Sequence, residues 1–233
     1  MDHLVICGYD PGSRMLLDAV TDEFGGGTQD VLIFAEGGRA QDIPPAFAWA
    51  DGNPTKESEL DKARIQYARA VIVVGPRGVA PEAADAQTIL TIFTIRRYVA
   101  QSGVQRSKPL YLVAEVLDAE NVSHARAAGA DEVIETTKLG FSLLAHSVAT
   151  PGSGQVLSEV AAANAHNIYL GTIPDEWEIR GDFGSVSQAI RERTGALVMG
   201  IHDDQERLNP ADDTPIEPHM QLIYLAPRPL LPT

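Results

Sequence analysis

The feature that most constrains this chain is a series of short apolar runs, each strand-sized, set apart by segments long enough to hold a helix. Residues 70–74, Ala-Val-Ile-Val-Val, are the clearest. A continuous β-branched run of this kind is what a parallel sheet buries on both faces. Residues 3–7, 30–36, 46–50, 110–115 and 131–134 read as five further strands. Residues 11–24 place Met15, Leu16, Ala19, Val20 and Phe24 at helical spacing, and Gly25-Gly26-Gly27 is expected to end that helix. Residues 57–67, 81–100 and 119–128 also read as helices. Strand and helix therefore alternate through six strands. That pattern predicts an α/β, Rossmann-like doubly wound parallel sheet, with right-handed crossovers placing helices on both faces.

After Thr136 the pattern changes. Residues 141–149 form a short apolar helix, Pro151-Gly152-Ser153-Gly154 a turn, and residues 156–165 an alanine-rich second helix. A smaller α+β segment follows, with elements at 167–171, 186–193, 196–201 and 221–225. Asn209-Pro210 and Ile216-Glu217-Pro218 mark loops. The expected organisation is a Rossmann-like lobe over residues 1–137, a helix-turn-helix crossover over 138–166, and a small α+β lobe over 167–233.

The chain has 233 residues, and 18 basic against 32 acidic side chains leave a formal charge of −14. That balance argues against nucleic acid and anionic membrane surfaces, both of which need clustered Lys and Arg. No apolar run approaches the roughly 18 residues of a membrane-spanning helix. The N-terminus has neither the basic nor the long apolar region of a signal peptide. A single cysteine, Cys7, excludes an intrachain disulfide framework and a zinc-finger cluster. A cytoplasmic protein without direct membrane insertion is the expectation.

Several stretches together resemble the RCK (KTN) domain that regulates potassium channels and transporters. They are Gly52-Asn53-Pro54-Thr55 with Glu59-Leu60 and Ala63, Ala68-Arg69-Ala70-Val71-Ile72-Val73, Ala114-Glu115 with Glu120-Asn121-Val122, and Ala127-Ala128-Gly129-Ala130-Asp131-Glu132-Val133-Ile134. The helix-turn-helix and the small C-terminal segment match that family's crossover and C-lobe. Within the family the chain looks most similar to the gating rings of calcium-gated potassium channels. The resemblance implies a ligand-binding regulatory domain, attached through a channel pore to the cell membrane and working as a homodimer within an octameric ring. It also implies that the long helix around Thr91–Ile95 packs one subunit on another. The apolar helix, turn and second helix cannot all cover their own lobe, and are expected to exchange across a two-fold axis.

In a doubly wound sheet, ligands sit beyond the carboxyl ends of the strands at the switch point. A dinucleotide fingerprint there needs glycine at positions 8, 10 and 13. The chain has Gly8, but Asp10 and Ser13 replace the other two, with Gly12 between. Asp10 followed by Pro11 is a strong helix N-cap, so its carboxylate would take the N–H groups that otherwise bind phosphate. Glu36 ends the second strand, where an acid grips a ribose hydroxyl in dinucleotide-binding folds. Asp51 ends the third strand, ahead of Gly52 and Asn53, and Glu115 ends the fifth. Asp10, Glu36, Asp51 and Glu115 are thus candidates for one crevice rim, an arrangement that without basic partners calls for a cation. Gly75 and Arg77 follow the fourth strand. Arg77 either meets a phosphate or pairs with nearby acids. The resemblance also implies a calcium site, whose matching positions read Val74, Glu115 and Leu117; only Glu115 carries an oxygen ligand, so calcium in that geometry is not expected.

Elsewhere the chemistry is sparse. Six histidines show no zinc-binding spacing, and Ser142, Ser147 and Ser153 lack a nucleophile-elbow context. His202-Asp203-Asp204 is a second-choice cation site. Cys7 reads as inert packing. The leading functional expectation is a non-enzymatic gating-ring domain that converts binding of a nucleotide (NAD, ADP or ATP) or of a cation such as calcium into pore opening or closing. Two others compete: a nucleotide-binding subunit of a Trk- or Ktr-type potassium transporter, which Asp10 counts against, and an NAD-dependent oxidoreductase, for which no catalytic base is evident.

Overall fold

The computed structural model describes residues 2–24, 30–161 and 166–232. The expected helix end at Gly25-Gly26-Gly27 and the last residues of the 156–165 helix lie outside them. The chain divides into two compact units, residues 1–151 and 152–233.

The first unit is built on a six-stranded parallel sheet: β1 (Leu4–Cys7), β2 (Val31–Ala35), β3 (Ala48–Asp51), β4 (Ala70–Val73), β5 (Tyr111–Val116) and β6 (Glu132–Glu135). The spatial order is β3-β2-β1-β4-β5-β6, so the direction of winding reverses between β1 and β4. Leu4 pairs with both Val31 and Ala70, and Cys7 with both Phe34 and Val73. Side-chain alternation then makes two cores. Val5, Cys7, Val71, Val73, Leu112 and Ala114 face one side, and Leu4, Ile6, Val31 and Ile33 face the other. Helix α2 (Pro81–Gln101) covers the first with Ile92 and Ile95, assisted by α3 (Val122–Ala127). Helix α1 (Arg14–Phe24) covers the second with Leu17 and Val20.

The alternation departs from expectation in two places. No helix joins β2 to β3. A loop does, and its Ile43 and Phe47 supply the burial that a helix would have given. Arg39 ties this loop down by donating to the carbonyls of Phe47 and Pro44, and the Tyr9 hydroxyl donates to Asp42 at 2.7 Å. Burial first, and then Asp42, push the Tyr9 phenol well above its ordinary pKa. Residues 57–67 form not one α-helix but two 3-10 turns, Glu57–Ala63 and Ile65–Tyr67. Arg64 between them has a left-handed backbone, φ 49°, which interrupts the helical hydrogen-bond ladder.

Helix α4 (Thr136–Ala149) starts five residues earlier than the sequence suggests, directly after β6, and buries none of its residues within the unit. Leu139, Phe141, Leu144 and Val148 all stand exposed.

The second unit opens with α5 (Ser153–Ala161), which begins inside the expected 151–154 turn. A four-stranded antiparallel sheet follows in the order β10-β9-β12-β7, from β7 (Asn167–Gly171), β9 (Leu197–His202), β10 (Glu206–Leu208) and β12 (Gln221–Ala226). Two short strands, β8 (Gly181–Asp182) and β11 (Pro215–Ile216), pair separately. Helix α6 (Phe183–Thr194) packs Val186 and Ile190 on the sheet. Asp182 caps it by accepting from the Ser185 amide at 2.9 Å and the Ser185 hydroxyl at 2.6 Å, which holds the Asp182 carboxyl below its usual range. Gly195 closes it with φ 80°. The Tyr224 hydroxyl accepts from the amides of Leu230 and Leu231, fastening that segment to the core.

Candidate functional site

The crevice lies where the fold places it, beyond the carboxyl ends of β1 and β4. Gly8, with φ 88°, is required here for packing, because a Cβ on it would run into the Val74 carbonyl. The chain then turns into a short 3-10 segment, Pro11–Ser13, which leads into α1. Asp10 caps that segment, its Oδ1 accepting from the Gly12 amide at 2.7 Å, as the Asp-Pro pair suggests. Its Oδ2 accepts from the Arg77 amide, which draws the loop after β4 onto the turn after β1. The same arginine reaches across the crevice. Its Nη2 lies 2.8 Å from Glu115 Oε2 and donates to Oε1 at 3.0 Å, and its Nε lies 3.3 Å from the Ser13 hydroxyl. Glu115 is nine-tenths buried, and it also accepts from the Thr136 hydroxyl at 2.7 Å. Thr136 is the first residue of α4.

Of the two readings of Arg77, pairing with acids is therefore the one realised. The expected rim of acids without basic partners is corrected: the structure joins Asp10 and Glu115 through Arg77. Glu36 and Asp51 are exposed and share no hydrogen bond or ion pair with that cluster among the described residues. Gly75 is buried and lets α2 approach, since a Cβ there would sit 3.0 Å from the Ala84 carbonyl oxygen.

Gly52 and Asn53 serve the β3 exit. A Cβ on Gly52 would meet the Phe34 ring at 2.6 Å. Asn53 Oδ1 accepts from the amide and hydroxyl of Thr55, at 2.8 and 2.6 Å. The Asn53 amide donates to Glu59, which also receives Lys62 at 3.0 Å. Those two bonds, Lys62 first, hold the Glu59 carboxyl below its usual range.

Sequence reasoning missed Asp85. It is 1% exposed on the inner face of α2 and accepts from the amides of Leu117 and Asp118 and from the Asn121 side chain, at 2.9, 3.0 and 2.8 Å. It thereby fixes the loop after β5, next to Glu115. Its signal was an acid in register with Thr88, Ile92 and Ile95 on the apolar face of the long helix.

The residues do not fit a dinucleotide pyrophosphate. The turn amide that would meet a phosphate already holds Asp10, and the space over Gly12 holds Arg77, whose Cγ would lie 2.8 Å from a Cβ there. Val74 and Leu117 give no side-chain oxygen to a calcium ion, and Glu115 is engaged by Arg77. Among the described residues no group of three His, Cys, Asp or Glu is placed to hold a metal. At the end of β9, Asp203 is occupied by Arg207 at 2.7 Å and by the Gln205 amide.

Residues 37–134 match the family described as the calcium-activated potassium channel slowpoke-like RCK domain. The chain is similar to the calcium-gated potassium channel TvoK of Thermoplasma volcanium, 27% identical over 154 residues, covering 65% of this chain and 41% of that protein. It is also similar to probable potassium channel protein 2 of Methanocaldococcus jannaschii, 24% identical over 226 residues, covering 93% and 61%. The chain thus spans about half the length of these two relatives. In structure it resembles the human SLO3 gating ring with a TM-score of 0.73, 15% identity, and coverage of 98% of this chain and 44% of that one. That likeness establishes the fold. No helix among the described residues is long and apolar enough to cross a membrane.

Proposed function

We propose that this chain is a regulatory gating-ring domain of a potassium channel, converting the state of its N-terminal crevice into pore opening or closing, and that it catalyses no reaction. The observation that carries the reading is the RCK match over residues 37–134, in a chain whose relatives are named as potassium channels. In this reading residues 1–137 are the N-lobe, 138–166 the crossover and 167–233 the C-lobe. The module sits on the cytoplasmic side of the membrane, tethered through a pore. The exposed apolar residues of α4 meet a second copy, and the dimers close into an octameric ring.

The crevice supplies a physical route for the signal. Arg77, Glu115 and Thr136 form one chain of contacts from the switch point to the first residue of α4. A change in Glu115 is thereby delivered to the helix that meets the partner copy. Such a change moves the ring only to the extent that it favours one ring shape over the other. Because neither pyrophosphate nor calcium suits the crevice, its resident cation is Arg77 itself.

The test is potassium flux through the native full-length channel in liposomes, comparing wild type with Glu115→Gln. A flux change of about tenfold, the equivalent of about 1.4 kcal/mol of bias, is expected. Unchanged flux in a correctly assembled channel would overturn the crevice's role, and a native protein that conducts no potassium would overturn the reading as a whole.

A further inference from the structure

The opposite end of the parallel sheet carries a feature that the gating-ring reading does not use. At the amino ends of β4 and β5 lies an open groove of about 690 Å³. Arg69, Arg106 and Lys108 line it, together with Tyr67 and Tyr111. Acids outnumber bases almost two to one in this chain, and several cations elsewhere pair with carboxylates, Arg14 with Asp18, Arg77 with Glu115, Arg96 with Asp131 and Arg180 with Asp175. None of the three groove cations has a carboxylate partner among the described residues.

What holds these cations is backbone. Arg106 donates from Nη1 to the Gln66 carbonyl at 2.6 Å, from Nη2 to the Ala68 carbonyl, and from Nε to the Lys108 carbonyl at 3.3 Å. Three of its five N–H groups are used, and carbonyls do not cancel its charge. Arg69 donates once, to the Asp2 carbonyl, and its guanidinium stacks 5.4 Å from the Phe24 ring. Both arginines are thus oriented in advance, which lowers the ordering cost of binding. Lys108 is exposed and has no side-chain partner among the described residues. Asp2 lines the groove, and two acids touch its lining residues: Glu132 accepts from the Tyr111 hydroxyl at 2.8 Å and Asp61 from the Gln66 side chain at 2.9 Å. Tyr67 and Tyr111 are half exposed and offer flat apolar faces beside the cations.

We infer that this groove binds a phosphate-bearing small molecule, its oxygens taken by Arg69, Arg106 and Lys108 and any aromatic portion laid on Tyr67 or Tyr111. Guanidinium and ammonium groups without carboxylate partners are the donors that phosphate recognition uses. The site stands apart from the crevice by the length of β4, four residues or roughly 13 Å. It does not depend on the gating-ring reading.

Isothermal titration of the purified chain with inorganic phosphate and with ADP tests this directly and distinguishes a bare anion from a phosphate carried on an aromatic nucleoside. Binding of either is expected, weakening with added salt. Lys108→Glu, on the exposed rim, should weaken it at least about tenfold, because it replaces an attraction by a repulsion, while leaving the thermal midpoint unchanged. Arg77→Ala, in the crevice, should leave it unchanged. Tighter binding of ADP than of phosphate would assign the tyrosines, and Tyr67→Ala should then remove the difference. No binding of either probe, or binding that survives Lys108→Glu and disappears in Arg77→Ala, would overturn the inference.

Discussion

Helices α2 and α4 carry similar apolar content and meet opposite fates. Helix α2 buries Ala84, Asp85, Thr88, Thr91, Ile92, Thr94 and Ile95 against its own sheet, with Leu90 and Phe93 left outward. Helix α4 buries nothing in its own unit. Phe141, Leu144 and Val148 recur at intervals of three and four, the spacing of one apolar face. That face is 65–84% exposed at these residues. An amphipathic stripe on α2 reports the core of this lobe. The stripe on α4 reports a surface left for something else, and water is an unfavourable neighbour for it.

The sharpest way to strain the comparison is Asp85→Ala. It would leave two amides and the Asn121 side chain without an acceptor in a buried loop. A loss of about 3–5 kcal/mol in denaturant unfolding is expected. A loss below about 1 kcal/mol would mean that α2 is not anchored through that carboxylate. Next, Ile92→Ala should cost about 2–5 kcal/mol, the range for a truncated core aliphatic. Leu144→Ala on α4, measured on the dilute monomer, should cost less than about 0.5 kcal/mol. Equal costs at the two sites would erase the distinction. In light scattering at tens of micromolar, however, Leu144→Ser should lower the mass, while a wild type that is strictly monomeric would sink the proposed second copy.

At the root of α4, Thr136→Val removes the hydroxyl that Glu115 accepts. It should cost about 1 kcal/mol and alter the near-ultraviolet signal little, since the Arg77 pair remains.

The smallest expected effect concerns α6, a helix that carries its own cap. The Asp182 carboxyl is held below its ordinary value of 3.8, first by the Ser185 hydroxyl and then by the Ser185 amide. Its contribution is complete above that ordinary value and drains away as pH falls through the lower folded one. Asp182→Asn should therefore flatten the acid limb of the C-terminal unit's stability below about pH 4. An unchanged acid limb in thermal melts would refute the assignment.

Much of this was legible in the residues. All six parallel strands were placed within two residues of their observed bounds, because β-branched runs between helix-length segments leave few other arrangements. The β2–β3 loop was not. Ile43 and Phe47 are too sparse to form a periodic signal, and what holds them is Arg39 on backbone carbonyls. The strands Gly181–Asp182 and Pro215–Ile216 were not read, since two residues carry no alternation. At the site, the Asp10 cap follows from its neighbour Pro11 and could be read locally. The Arg77–Glu115 pair spans 38 positions, and only the β4–β5 pairing brings the two together. Asp85 was within reach, but an acid in register with an apolar face was passed over.

The position of β12 has a consequence for how the protein is made. This strand, Gln221–Ala226, lies between β9 and β7, and without it the C-terminal sheet falls into two disconnected pieces. The strand leaves the ribosome well after β7, and at about 5–20 residues per second β7 waits several seconds for the neighbour that completes it. By then the parallel sheet, finished at Glu135, has had time to form. A chain truncated ahead of Gln221 would thus yield a sound first unit carrying an unfinished second one, an open-edged chain that quality-control proteases and neighbouring nascent copies would both find.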